Sequence, residues 1–503
     1  MSARHTREEV VNSMPRTGFF GHPRGLITLM LTEFWERFSY YGMKAILVFY
    51  LYYSVAKGGF GIEEGFALQI VSIYGALIYM SGIIGGWIAD RLLGTRHSIT
   101  IGAVLIMIGH ILLSLPNNFT LMLVALLFII LGTGLLKPNI SSTVGELYHK
   151  NDSRVDAAFT LFVMSINLGA FLAPLVVGSL QANVGFHAGF SAAAIGMFFS
   201  LIAFVIMSKR SLGLAGLDIP NPITPAERKK TITYLLAVAS VVALYFIYLA
   251  AHHKLDLRHF ADLITFLGIV LPAIYFGMML ISRKTSRTEK SRVTAYIPLF
   301  LASVVFWMIE EQGSTVLANF SDKKTQLDLN VLTHGAIDFH IPAAWFQSLN
   351  PLFIVTLAPL FSILWTKLGK RNPSTVVKFA IALILAGLSF MIMIMPLQSG
   401  VQLINPLWLV LSFLLVTLAE LCLSPTGLST TTKLAPEAFT AQMMSVWFLS
   451  NTMAQGLNAQ LVNVYTSVSP VRYFGIFGGI AIGLGIILFF VSPFIKKLMH
   501  GIH

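Results

Sequence analysis

Long apolar runs alternate with short polar ones along the whole chain. Roughly 20 apolar residues cross a bilayer as a helix. By that measure, runs near 26–53, 67–92, 98–115, 119–140, 155–182 and 186–208 each predict a spanning helix. A polar stretch containing Pro and Gly, Ser211 to Lys230, follows them. Two more apolar runs come near 231–251 and 261–282, split by the charged turn His252–His259. After the basic stretch Arg283 to Arg292, six further runs fall near 294–320, 342–366, 374–396, 406–433, 438–466 and 471–495. The pattern predicts an all-α integral membrane protein of about 14 spanning helices, grouped six, two and six. The expected segments are a tail at 1–25, a first bundle at 26–210, a linker with two extra helices at 211–293, a second bundle at 294–496 and a tail at 497–503.

The first run carries an energetic difficulty. Glu33, Glu36, Arg37 and Lys44 lie inside it, in the sequence Glu33-Phe34-Trp35-Glu36-Arg37-Phe38-Ser39-Tyr40-Tyr41-Gly42-Met43-Lys44. A charge at the centre of a bilayer costs at least ~3 kcal/mol. Offsets of 0, +3, +4, +7 and +11 from Glu33 share one helical face, so Glu33, Glu36, Arg37, Tyr40 and Lys44 form one polar stripe. Such a stripe suits the wall of a solute pathway.

Composition agrees with the pattern. Hydrophobic residues make up 56% of the 503 and charged residues 11%, with mean hydropathy +0.77. Soluble domains carry about 25% charged residues. The formal charge of +12 does not point to nucleic acid, because the basic residues gather in short loops. The positive-inside rule then orients the chain with both termini cytoplasmic. That side receives Arg91, Arg96, Lys209, Arg210, Arg228, Lys229, Lys230, the Arg283–Arg292 cluster, Lys367, Lys370, Arg371, Lys433, Lys496 and Lys497. The other side receives Lys57, Lys254, Arg258, Lys323, Lys324 and Arg472. The single cysteine, Cys422, excludes an internal disulfide and a cysteine-based metal site. The basic segment before Gly25 lacks an apolar core and a small-residue cleavage site, so it does not read as a signal peptide.

A weak repeat links the outer sixes. Trp87-Ile88-Ala89-Asp90-Arg91-Leu92-Leu93-Gly94-Thr95-Arg96 follows the second run, and Trp365-Thr366-Lys367-Leu368-Gly369-Lys370-Arg371 follows the corresponding run of the second six. Two six-helix halves related by an axis along the membrane normal are how major facilitator transporters are built. The segment from Gly85-Gly86 to Gly94 resembles that superfamily's inter-helix motif, in which Asp90 and Arg91 can lock a loop and gate the adjoining helices. A plain topogenic basic loop is the alternative.

Other polar groups sit deep in apolar sequence: Lys137, Asn167, Glu310, Glu311, Asn350, Glu420, Trp447, Ser450 and Asn451, with Tyr74 and Tyr79 on the second run. The first half supplies Arg37 and Lys137, and Lys44 nearer the outer end. The second half supplies Glu310, Glu311 and Glu420. A cavity between the halves would therefore have a cationic and an anionic side, which suits a zwitterion. Arg is the better carboxylate clamp, because its planar fork binds bidentately. Desolvation favours the neutral carboxyl and a nearby cation favours the carboxylate, so a glutamate that loses its cationic partner during rocking can take up a proton. Glu310 and Glu311 differ by about 100° on a helix, so one of the two is expected to face the cavity. The structural alternatives are a static salt-bridge cluster, a snorkelling Lys137, interhelical asparagine bonds and interfacial Tyr and Trp anchors.

Together these pieces resemble the proton-dependent oligopeptide transporter family (POT, PTR2), of bacterial type. The first run matches its ExxERFxYYG motif at Glu33, Glu36, Arg37, Phe38, Tyr40, Tyr41 and Gly42. Phe162 to Ala170 resembles its FYxxINxG motif, and Phe306-Trp307 with Glu311-Gln312 resembles its seventh-span signature. Two departures stand out: Lys44 where the family often has Arg, and Val163 where Tyr usually follows Phe162. The resemblance implies a major facilitator fold and proton-coupled symport of di- and tripeptides, with peptide-like compounds as further candidates, by alternating access. It implies a proton-linked network of Glu33, Glu36, Arg37 and Lys137, with Glu311, or Glu310 in its place, as the seventh-span proton carrier. Arg37 and Lys137 would hold the peptide carboxylate; Glu420, Asn167 and Asn350 would receive its amino terminus and backbone. Tyr40, Tyr41, Tyr79, Trp447 and Ser450 would line side-chain pockets, and Lys44 would pair with Glu311 as an outer gate. The coupling ion is the proton, with no cofactor and no metal. The partners are peptides, protons and membrane lipid, not nucleic acid, and a monomer in the cell membrane is expected. No HExxH or nucleophile cluster points to an enzyme.

Overall fold

The computed structural model describes residues 5–502 apart from 16, 17, 19, 20, 117, 150, 151, 153, 255 and 399–401. Of the two expected tails, residues 1–4, 16, 17, 19, 20 and 503 lie outside the described ones. In lipid every backbone polar group must be satisfied within the chain, which leaves helices as the economical solution for these runs. Fourteen long helices form among the described residues. The first six are α1 (Arg24–Tyr52), α2 (Glu64–Ile88), α3 (Thr95–Ser114), α4 (Phe119–Glu146), α5 (Val155–Asn183) and α6 (Phe186–Ser211). Next come α7 (Pro225–Ala251) and α8 (Leu257–Ile281). The second six are α9 (Arg287–Glu310), α10 (Leu349–Leu368), α11 (Thr375–Met391), α12 (Leu407–Leu434), α13 (Thr440–Ser467) and α14 (Pro470–Leu498).

Eleven of the described helical segments are long and apolar enough to cross a membrane by composition alone. Of the others, α1 holds the charged stripe and α13 carries Asn451, Gln455 and Asn458 along its length, while α7 is apolar and uncharged in sequence from Thr231 to Ala251. Local signals set the ends. Capping boxes at Thr224/Glu227 and Ser286/Glu289 start α7 and α9, and the Asp256 side chain caps α8. Gly94, with φ of 75°, makes the turn into α3.

Within the first half α1 packs on α5 and α6, and α3 on α4; within the second, α11 packs on α12 and α14. The α3–α4 contact is a backbone approach, since a Cβ on Gly102 would fall 2.6 Å from the carbonyl oxygen of Gly132. The two halves meet along α2 against α13 and α5 against α10. Helix α8 lies on α13 and touches α2, while the start of α7 is tied to the α2–α3 loop.

The ninth helix is not the continuous span that its hydrophobic run suggests. It ends at Glu310; a 3-10 turn follows at Glu311–Ser314, and a separate helix spans Val316–Lys324. The polar residues Glu311, Gln312 and Ser314, on either side of Gly313, are all buried. Their hydrogen bonds compete with a regular α-helical turn at that point.

Candidate functional site: a cavity between the halves

Between the halves lies a cavity of about 380 Å3. The first half lines it with Tyr40, Tyr41, Lys44, Tyr79 and Asn167; the second lines it with Glu310, Glu311, Asn350 and Glu420. It runs from Leu317 and Gln347, at the end away from the chain termini, to Val163, Ala358 and Pro425, toward the face that carries them.

The far end is closed by bonds between the halves. Lys44 Nζ lies 2.8 Å from Glu311 Oε2, an ion pair with both side chains buried. Tyr79 donates to Glu311 Oε1 at 3.0 Å. Further out, the hydroxyls of Tyr52 and Tyr53 donate to the Asp322 carboxylate at 2.8 and 2.6 Å. Lys323 pairs with Glu64 at 3.2 Å. The turn Ala343–Ser348 seals the side: Trp345 Nε1 donates to the Leu175 carbonyl at 3.1 Å, Gln347 Nε2 to Ala45 at 3.0 Å and Ser348 Oγ to Phe171 at 2.8 Å. Toward the termini, α10 keeps only Pro351 buried among its described residues, and Leu360, Ile363 and Leu364 are exposed. The cavity is thus shut at one end and unpacked at the other.

On the wall of the first half, Arg37 is 1% exposed and shares its charge with two glutamates. Its Nη2 donates to Glu36 Oε1 at 2.7 Å, its Nε donates to Glu36 Oε2, and Nε lies 3.3 Å from Glu33 Oε1. The second Glu33 oxygen, Oε2, is buried and accepts from no described group. The guanidinium sits 5.0 Å from the Tyr40 ring centroid and 6.0 Å from that of Tyr41. Arg37 therefore lies behind the tyrosines that line the cavity. Lys137 makes no ion pair among the described residues; its ammonium faces the Tyr79 ring at 4.9 Å. On the opposite wall, Asn350 donates to Glu420 Oε2 at 2.9 Å and to Thr417 Oγ1 at 3.2 Å.

The sequence-predicted residues divide accordingly. Tyr40, Tyr41, Tyr79, Asn167, Asn350 and Glu420 share the cavity, and Asn167 there donates to the Val163 carbonyl at 3.0 Å. Glu310 and Glu311 both line it, rather than one alone, because the switch to a 3-10 turn after Glu310 swings Glu311 to Lys44. Arg37 and Lys137 stand behind the tyrosine layer. Trp447 is 7% exposed, packed against Gly427, and Ser450 Oγ is spent on the Trp447 carbonyl at 2.6 Å; neither reaches the cavity lining in this conformation. Asp90 and Arg91 lie outside the cavity, just past α2 on the face that carries the chain termini. Arg91 pairs there with Glu227 of the linker at 2.8 Å rather than with Asp90. The π-turn Ala89–Leu93 aims Arg91 at a linker that hydrogen-bonds across it, Asn221 N–H to the Asp90 carbonyl and Ile223 N–H to the Arg91 carbonyl.

Two contributors escaped the sequence reading, Asp322 with Tyr52 and Tyr53 and Gln455 beside Glu311; Gln312, part of the seventh-span signature, accepts from Tyr473 at 2.9 Å. The polar stripe Trp447, Asn451, Gln455, Asn458, at offsets of +4, +8 and +11, was the available signal.

The sequence profile of PTR2, the POT family, matches residues 96–478. The chain belongs to the POT family. It is 48% identical over 486 residues to the di-/tripeptide transporter of Lactococcus lactis subsp. lactis (strain IL1403), covering 96% of this chain and 97% of that one. It is 52% identical over 496 residues to the uncharacterized transporter YclF of Bacillus subtilis (strain 168), covering 98% and 99%. Among solved structures, the peptide transporter POT in complex with sulfate superimposes with a TM-score of 0.95 at 55% identity, covering 99% of this chain and all of that one. A POT family transporter in complex with 5-aminolevulinic acid gives 0.92 at 44% identity, covering 97% and 99%. This POT protein is therefore a multi-pass membrane transporter with the major facilitator fold and two additional helices.

Proposed function

We propose that this POT transporter imports di- and tripeptides together with protons across the cell membrane by alternating access, acting as a monomer with both termini in the cytoplasm. The proton is its coupling ion, and no other cofactor takes part. The basic loops on the terminal face support that orientation, and in it the cavity is shut to the outside and faces the cytoplasm.

The observation that carries the reading is the buried Lys44–Glu311 pair closing the cavity from opposite halves. Separating a buried ion pair without compensation costs about 3–5 kcal/mol, because a bare charge stays behind in low dielectric. A proton on Glu311 removes the carboxylate charge, and the Lys44 ammonium takes up water as the outer end opens. When the halves close again, Lys44 displaces the proton toward the cytoplasm. Proton movement and gate movement are then one event.

The substrate fits the remaining chemistry. A cavity of about 380 Å3 lies in the usual range for small-ligand sites, roughly 300–1,000 Å3. Glu420, oriented by Asn350, offers an acceptor for a peptide ammonium. Arg37 offers a bidentate clamp for the carboxylate once Glu33 or Glu36 takes a proton and releases it. In proteoliposomes with an inward proton gradient, dialanine is expected to accumulate above its external concentration. Glu311→Gln is expected to abolish this while counterflow persists. Failure to accumulate any member of a broad dipeptide and tripeptide panel would overturn the assignment.

A further inference from the structure

Glu311 is held from both halves, but its partners differ in which half they belong to. Lys44 on α1 and Tyr79 on α2 reach it across the interface, at 2.8 and 3.0 Å. A third donor comes from its own half. Gln455 Nε2, on α13, lies 2.5 Å from Glu311 Oε2. The Gln455 side chain is 1% exposed, and its Oε1 is buried and accepts from no described group. Helix α2 leaves room for it, since a Cβ on Gly75 would fall 2.5 Å from Nε2 and 2.8 Å from Cδ of Gln455.

We propose that Gln455 is a positioning residue for proton handling by Glu311, its amide staying with Glu311 when the halves part and serving whichever protonation state the carboxyl is in. The proposal rests on the proton-coupled reading above. A primary amide carries both a donor and an acceptor. Lys44 can only donate, and both Lys44 and Tyr79 leave with the first half. Toward the carboxylate, Gln455 presents N–H. After a proton from external water bonds to a Glu311 oxygen, rotation of the amide replaces N–H···O by O–H···O=C at Oε1. On closure the O–H bond breaks, the proton passes to water in the cytoplasmic cavity, and the N–H donor returns as Lys44 pairs with the carboxylate. An acceptor with no partner in the closed state is the expected counterpart of a bond made only to the acid form, because leaving such an atom buried is otherwise costly.

The other titratable and charged groups around Glu311 do not duplicate this role. They are Tyr40, Tyr41 and Lys44 on α1, Tyr79 on α2, Lys137 on α4, Glu310 on α9 and Glu420 on α12. Asn451, one turn before Gln455 on α13, adds a second amide from the same side.

The test uses the full-length transporter in proteoliposomes, with dialanine as substrate and Gln455→Met as a shape-conserving variant. Gradient-driven uptake should fall by more than counterflow. Gln455→Met removes both the stronger bond to the carboxylate and the weaker one to the neutral acid, so the net shift in the pH of half-maximal uptake should be upward, by about one unit at most. Gly75→Ala, which crowds the amide from α2, should move the profile the same way and provides a second route if Gln455→Met does not fold. In a Glu311→Gln background, Gln455→Met should change counterflow no further. Equal losses in both modes with an unmoved pH profile, in a setting where the wild type shows proton-driven uptake, would reduce Gln455 to packing and overturn the proposal. Absence of proton-driven uptake in the wild type would overturn the functional reading itself, and this inference with it.

Discussion

At the scale of single residues, the charges were legible because their cost is large. Glu33, Glu36, Arg37, Lys44, Lys137, Glu311 and Glu420 each stand out in apolar sequence, where an unpaired charge is hard to place. Which of them pair was only partly legible. The helical stripe brings Arg37 to Glu33 and Glu36, but it does not show that both would be engaged at once behind Tyr40 and Tyr41. Neutral polar residues announce themselves less: Gln455 costs less to bury than a glutamate, so its bond to Glu311 was not singled out. The ionic partner of Arg91, Glu227, lies in a distant linker, and no periodicity connects the two. One prediction belongs here. Lys44→Met removes one partner of the buried pair and is expected to destabilise the closed outer end by about 3–5 kcal/mol, read as a lower melting temperature in detergent and lost gradient-driven uptake. Lys44→Arg should restore both, since a guanidinium can pair with the same carboxylate. Equal behaviour of the Met and Arg variants would contradict the role of the pair.

At the scale of elements, the apolar runs located the helices closely, because twenty apolar residues have few other ways to satisfy their backbone in lipid. The break after Glu310 was not legible. Hydropathy continues through residue 320, and the 3-10 turn arises from side-chain hydrogen bonding by buried polar residues rather than from a loss of apolar character. That break places Asp322 on its own short helix, where it accepts from the hydroxyls of Tyr52, the last residue of α1, and Tyr53, which follows it. Hydrogen bonds to a charged acceptor are worth about 1.5–3 kcal/mol. Asp322→Asn should therefore lower the closed-outside population relative to the open one by roughly tenfold or more. Spin labels at Ala56 and Lys324, in the Cys422→Ser background, would report a larger share of long distances. An unchanged distance distribution would show that these bonds do not help hold the end shut. Close packing gives a second element-scale expectation: Gly102→Val drives a side chain into the Gly132 backbone and should cost about 1–3 kcal/mol of stability, measured as thermal unfolding in detergent.

At the scale of the whole molecule, the grouping of six, two and six and the weak loop repeat pointed to two halves, and the fold has them. Their relative arrangement in this conformation was not in the sequence, because alternating access makes the same chain adopt more than one packing of its halves. The structure shows the packing in which the Lys44–Glu311 layer, the Asp322–tyrosine layer and the Ala343–Ser348 turn close one end together. The central claim is that a proton on Glu311 and a peptide in the cavity cross the membrane in the same cycle. Proteoliposomes carrying a trapped pH-sensitive dye test it most directly. With no initial pH gradient and an inside-negative potential, adding external dialanine should acidify the lumen for the wild type. For Glu311→Gln, labelled dialanine should still exchange while the lumen stays at its starting pH. Peptide entry without acidification in the wild type, or acidification that survives Glu311→Gln, would contradict the account.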